Sequence, residues 1–249
     1  MEETKIINLF GIDMSFNVLV SLIVTVVIVF ILCILMTRNL SVDKPSRPQV
    51  ILESLIDFIK GIIHDTIEGS YQDAYIIISL ALFLFLLVAN FLGLPFIVHI
   101  HEQSYWKSPT ADAVVALSLA VIMNLISHIL GMRAQGVGKY WVNTYLKPNI
   151  VLMPVKIVEE VINIFTLALR LFGNIFAGEV LLNLISSVGN KFGLATWLVG
   201  IPLQMIWQAF SLFIGCIQAY IFVTLSLVYL SHKVEIPLPT SKKQKNKIQ

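Results

Sequence analysis

Five apolar stretches, at about 16–37, 74–98, 113–131, 154–188 and 194–230, take up more than half of the chain. A helix rises 1.5 Å per residue, so roughly 20 residues cross a hydrocarbon layer of about 30 Å. Each stretch reaches that length. Inside lipid every backbone N–H and C=O must find a partner within the protein, which leaves helices and closed barrels. These runs are continuous rather than alternating, which disfavours a barrel. The expected fold is an all-α polytopic membrane protein with five membrane-embedded helices. The last two stretches exceed a perpendicular span, so they must tilt, kink or project beyond the bilayer. Composition agrees: 57% of residues are hydrophobic, 13% are charged, and the mean hydropathy is +0.85. A soluble domain is nearer half apolar and a quarter charged.

Residues 48–68 are different. Val50, Ile51, Leu55, Ile59, Ile62 and Ile63 recur at helical spacing, while Glu53, Asp57, Lys60, His64 and Asp65 occupy the remainder. This pattern predicts an amphipathic helix lying in the membrane interface, with a small soluble helix as the plainer alternative. The N-terminus, MEETK, is acidic and the first apolar run is too long for a typical signal segment, so that run is expected to stay as a span. Cys33 and Cys216 sit far apart in apolar runs and read as small core residues.

Lys and Arg mark the cytoplasmic loops of a membrane protein. Arg38, Lys44, Arg47 and Lys60 follow the first stretch, and Arg133, Lys139, Lys147 and Lys156 follow the third. The tail 232–249 adds Lys233, Lys242, Lys243, Lys245 and Lys247, against only Lys5, Lys107 and Lys191 on the other side. With five spans the bias alternates without conflict, predicting an outside N-terminus and a cytoplasmic C-terminus. The tail could touch anionic lipid or stay solvated. The outward loop FIVHIHEQSYWKSPTAD carries His99, His101, Glu102 and Asp112, which could feed protons toward the membrane, beside the interfacial aromatics Tyr105 and Trp106. Ordinary loop chemistry is the alternative for the histidines, and a zinc site the weakest. No basic face with interleaved aromatics suggests nucleic-acid binding.

A charge at mid-membrane costs at least about 2.5–3.5 kcal/mol, so charged residues there are functional candidates. The fourth stretch holds several. At 100° per residue, Lys156, Glu159, Asn163, Thr166 and Asn174 all fall within about 40° of Arg170. Glu179 lies half a turn away, with Asn183 on that second side. The pattern describes two polar half-paths, offset around one helix, with an arginine near the junction. In the fifth stretch Gln204, Gln208, Ser211, Gly215 and Gln218 form a matching stripe. A hairpin of the two, turning at SSVGNKFG, could set Gln218 beside Arg170 and Ser211 beside Glu179. Gly173, Ala177 and Gly178 would let a neighbouring helix approach closely. The structural alternative is that Arg170, the asparagines and the glutamines merely hold helices together.

The residues LRLFGNIFAGE, with WQAFSLFIGCIQAYIFVTLSLVYLSHKVE, closely resemble the subunit a family of bacterial F-type ATP synthases. VANFLGLPF, WKSPTADAVVALSLAV and PVKIVEEVINIFTLALRLFGN agree, so the likeness covers nearly the whole chain. The resemblance implies a stator subunit of the Fo motor in a bacterial cell membrane. Its two long tilted helices would curve around a ring of c subunits, with the b-subunit peripheral stalk and the rest of F1Fo as further partners. Arg170 matches the family's essential arginine, and Asn174, Glu179 and Gln218 its outer half-channel. Glu159, Glu160 and Asn163 are the weaker inner candidates. Some bacterial members carry a histidine where this chain has Ser211, so an imidazole relay is not carried over. Water, or His99 and His101, would have to compensate. No nucleotide or cofactor motif is present, which implies a non-catalytic subunit. A self-contained secondary transporter would show internal repeats, and none is visible. A passive scaffold would not need Arg170 and Glu179 at membrane depth.

Overall fold

The computed structural model describes residues 6–9, 12–38, 40–41, 45–67, 73–93, 99–100, 103–104, 108–146, 150–191 and 194–234. Within these, helices dominate. α1 is Phe16–Thr37, α2 Arg47–Thr66, α3 Asp73–Gly93 and α4 Ala113–Gln135. A short α5, Val137–Trp141, runs into one π-turn at Val142–Leu146, and the chain closes with α6, Met153–Lys191, and α7, Leu194–Val234. Two small antiparallel hairpins join the connecting segments: β1 Ile6–Leu9 with β2 Ile12–Ser15, and β3 His99–Ile100 with β4 Gln103–Ser104. They leave the chain an all-helical membrane architecture.

Among the described residues, four helices are long and apolar enough to cross a membrane: Phe16–Thr37, Asp73–Gly93, Ala113–Gln135, and Gly200–Val234 of α7. The expected boundaries at 16–37 coincide with α1. Residues 94–98, expected to extend the second stretch, lie outside the described residues. α6 is the most charged of the long helices, carrying Lys156, Glu159, Glu160, Arg170 and Glu179. At 39 and 41 residues, α6 and α7 reach roughly 58 and 62 Å. α7 remains one helix despite Pro202.

The expected tail 232–249 needs correction at its start. His232, Lys233 and Val234 complete the last turn of α7. Lys233 is buried, not a solvated tail residue. The Lys233 ammonium in this last turn also suits the negative end of the helix dipole.

α6 packs on α7 and α4, α7 also meets α3 and α2, and α1 rests on α3 and α2. The core joins Leu167, Ala168 and Leu171 of α6 to Ala219, Phe222 and Val223 of α7, and reaches Ile59 and Ile63 of α2. That gives the amphipathic pattern of α2 its cause. Its Ile59, Ile62 and Ile63 are buried, while Asp57, Lys60 and Asp65 are exposed. The helix begins with Pro48 in its first turn, where a missing N–H costs nothing. α4 ends at Gly136, whose φ of 81° suits glycine and lets the chain turn straight into α5.

Candidate functional site

α6 has a closed face and an open face. Leu167, Ala168, Leu171, Ile175, Gly178 and Leu182 are buried and centre about 100° around the helix from Arg170. Phe165, Leu169, Phe176, Val180 and Leu184 are exposed on the far side. The polar stripe read from the sequence straddles this boundary. Glu159, Thr166 and Arg170 are exposed, whereas Asn163 and Asn174 sit half-buried at the border. Glu160 leans into the closed face. Arg170 is therefore presented outward, close to the exposed side chains of Thr166 and Leu169, and no described residue buries it.

The α6–α7 hairpin sets levels along the pair. Ile175 packs with Leu212, and Trp207 Nε1 donates to the Gly178 carbonyl at 3.5 Å. Counting away from these contacts in opposite directions brings Arg170 to the level of Gly215–Gln218, and Glu179 to a turn or so from Ser211. Gln218 and Ser211 are buried, so they face the packed side rather than the open face. Gln218 Nε2 has no hydrogen-bond partner among the described residues, and Oε1 of Glu179 is sealed from the surface. Buried amide and carboxylate atoms demand partners.

A second polar node lies near the start of α4. Asn90 Nδ2 donates to the Gly215 carbonyl at 2.9 Å, and Thr110 Oγ1 donates to Asn90 Oδ1 at 3.2 Å. Ser108 Oγ lies 2.9 Å from Thr110 Oγ1. All three side chains are buried. The node fixes α3 to α7 in the stripe between Ser211 and Gln218. It also explains Gly93, where a Cβ would run into Ser108 Oγ. Asp112, expected as a proton feeder, caps α4 by accepting from the Val114 N–H at 2.8 Å. This is a sufficient structural reason for its presence. His99 lies in β3, and His101 lies outside the described residues.

The densest polar cluster is at the other end of the bundle. Glu160 Oε1 accepts from Lys233 Nζ at 2.6 Å and lies 2.5 Å from His128 Nε2, while Tyr145 OH donates to Oε2 at 2.6 Å. Lys233 Nζ also donates to Asn124 Oδ1 at 2.5 Å. His128 Nδ1 lies 2.5 Å from Tyr140 OH. His128 Nε2 also lies 3.1 Å from Lys233 Nζ, so the imidazole touches both members of the ion pair, and its donor and acceptor roles depend on its tautomer. Burial, then the Glu160 charge, pushes the Tyr140 phenol up to about 12, so it remains a donor. Burial and the bond to Glu160 raise Tyr145 too. Gln135 Nε2 donates to the Lys233 carbonyl at 3.0 Å, holding the end of α7 against α4. Gly131 permits this approach, because a Cβ there would lie 2.6 Å from Tyr140 Cε2 and 2.9 Å from the Lys233 oxygen.

Between this cluster and the level of Leu167 lies a recess lined in part by Asn124, Ser127, Asn163, Ser226 and Tyr229. Ser226 Oγ, on its wall, is buried without a hydrogen-bond partner among the described residues. The structure thus brings Glu160 and Asn163 together on one side of α6 and leaves Glu159 outside. Sequence reading missed His128, Asn124, Tyr145 and the inward role of Lys233. A signal was present: Asn124 and His128 stand four residues apart in the apolar run MNLISHIL, on one helix face.

Residues 18–231 match the family model for the ATP synthase A chain. The chain is 46% identical over 237 residues to ATP synthase subunit a of Enterococcus faecalis, an alignment covering 94% of this chain and 99% of the relative. It is 48% identical over 221 residues to that of Enterococcus hirae, covering 88% of this chain and 92% of the relative. Against ATP synthase subunit a of Listeria monocytogenes serovar 1/2a the identity is 42% over 233 residues, covering 94% of this chain and 98% of the relative. A match across almost the whole bundle, including the helix that presents Arg170, shows that this chain belongs to the ATP synthase A chain family.

Proposed function

We propose that this chain is the proton-conducting stator subunit of the membrane motor of a bacterial F-type ATP synthase. Five of its helices, α1, α3, α4, α6 and α7, are membrane-embedded, with α2 at the interface, the N-terminus outside and the C-terminus cytoplasmic. Its partners are the c-ring, the b-subunit peripheral stalk and the rest of F1Fo. It holds no nucleotide site of its own and couples proton flow to chemistry performed elsewhere.

The observation that carries this reading is Arg170, a charge exposed beside Thr166 and Leu169 on the open side of α6 in a chain of this family. An uncovered guanidinium facing hydrocarbon is costly. A rotating ring with a carboxylate at that depth supplies the counter-charge. Near Arg170 the ring carboxylate ionises and gives up its proton. Away from it the carboxylate must be neutral to face lipid. Arginine keeps its own proton, with a pKa above about 12, and so cannot pass protons across the junction. Lysine, which can deprotonate when desolvated, would be a poorer barrier.

Protons arrive on the outer side by Glu179, Asn174 and Gln218, with Ser211 adjoining and His99, His101 and Asp112 nearer the entry. They leave on the inner side by Asn163 and Glu160, with Glu159 at the rim. The two paths meet α6 on opposite sides of Arg170, so a proton crosses only by riding the ring. The driving energy is about 2.3 kcal/mol per charge per 100 mV.

Cross-linking tests the placement. In a chain with Cys33 and Cys216 replaced by serine, Leu169→Cys should form a disulfide with a cysteine set beside the ring carboxylate, in native membranes. A Leu169→Cys that reacts only with lipid-soluble reagents, and never with the ring, would remove Arg170 from the interface.

A further inference from the structure

The inner cluster contains more than a proton path requires. A relay needs a group that takes and gives up a proton, yet Glu160 receives three donors: Lys233 from α7, His128 from α4 and Tyr145 from the π-turn. Tyr140 of α5 faces the same charge through His128. Lys156, one turn back on α6, spends its ammonium on the Thr144 carbonyl at 2.5 Å. Every titratable group facing Glu160 therefore either donates to it or is held elsewhere. A carboxylate bonded by several donors, one of them a cation, is held in its charged form.

Lys233 is the member that makes this possible. It reaches Glu160 across 73 positions of sequence and is anchored from a second side by Asn124. Only 10% of its side chain is exposed, against 21% for Glu160. A buried ammonium needs a fixed anion, and Lys233 with Glu160 makes a pair that is neutral overall. The pair sits at one end of the recess lined by Asn124 and Asn163.

We propose that Lys233 is a positioning residue of the inner path: it locks Glu160 as a permanent anion at the mouth of the recess, so that protons pass this carboxylate without binding to it. The permanent charge draws protons from the cytoplasm, and the carboxylate is not itself a storage site. This rests on the inner path proposed above.

The test is ATP-driven proton pumping in inverted vesicles, where the external medium bathes the cytoplasmic face. Pumping is normalised to ATP hydrolysis in the same vesicles, in complexes confirmed to be assembled, and followed against external pH. For Lys233→Gln the account predicts a new inflection with a several-fold change across its limb, because a buried carboxylate stripped of its cation titrates above its ordinary range. The inflection should be absent from wild type, absent from Lys233→Arg, and abolished again in the Lys233→Gln/Glu160→Gln double variant. A clasp that only holds helices together would lower the ratio evenly at every pH. That result, or a Lys233→Gln profile matching wild type while Glu160→Gln alters pumping, overturns the proposal. If neither single variant changes the ratio at any pH, the inner path itself is misplaced. Should Lys233→Gln fail to assemble, Asn124→Ala loosens the same ammonium and should give the same inflection more weakly; its absence there would also overturn the proposal.

Discussion

Two levels of α6 handle charge in opposite ways. Around Glu160 each polar atom is answered from within the chain, by groups on α4, α7 and the π-turn. Ten residues on, roughly 15 Å along the helix, Arg170 stands exposed, and no described residue buries it. Beyond it Gln218 is buried with its amide nitrogen unsatisfied among the described residues. A self-sufficient cluster is a fixed part of the fold, set before any partner arrives. An unanswered charge is a demand on something outside the chain. The difference separates what this subunit builds alone from what it completes by assembly.

Removing one member from each region tests that difference. The largest effect on stability is expected from Glu160→Ala, which strands the Lys233 ammonium. Breaking a buried ion pair costs at least about 3 kcal/mol, and the residual exposure here argues for that lower end. Thermal release of the subunit from the solubilised complex should occur well below the wild-type temperature. An unchanged temperature would mean that the cluster is not self-sufficient.

Glycines give the next contrast. Gly93→Ala forces a methyl into Ser108 and should cost about 1–3 kcal/mol, read in the same release assay. Gly173 has nothing within 4 Å of its virtual Cβ and lies toward the open face. Gly173→Ala should leave the release temperature alone yet reduce pumping, because the added methyl meets the ring. Equal behaviour of the two variants would erase the distinction between closed and open faces.

The smallest stability change should come from Gln218→Leu. Replacing a buried amide whose nitrogen lacks a partner is near neutral for the fold. Pumping should nonetheless fall several-fold if water and protons use that amide. A variant that pumps normally would assign Gln218 to packing.

Much of this was legible in the sequence. Helices α1, α2, α6 and α7 follow from apolar length and 3.6-residue periodicity, since each pattern is local. The polar stripe around Arg170 follows from angular counting alone, whereas which of its members are covered does not. What could not be read were groupings that depend on distant segments. Lys233 counts as a tail lysine until α7 is known to run to Val234 and end against α4. Tyr145 reaches Glu160 only through a π-turn, which leaves no periodic signature. Asn90, Ser108 and Thr110 look like unremarkable loop and helix residues until Gly215 approaches. Asp112 stands in an acidic outward loop, and its capping bond to the Val114 N–H becomes visible only once Ala113 is known to begin α4.

The central claim is the proposal that the ring supplies the counter-charge that no described residue gives Arg170. ATP-driven proton pumping in inverted vesicles, comparing wild type with Arg170→Ala in complexes confirmed to be assembled, tests this most directly. The account predicts that pumping vanishes while the complex stays intact. Pumping that survives would make Arg170 a packing residue and contradict the coupling role assigned to it.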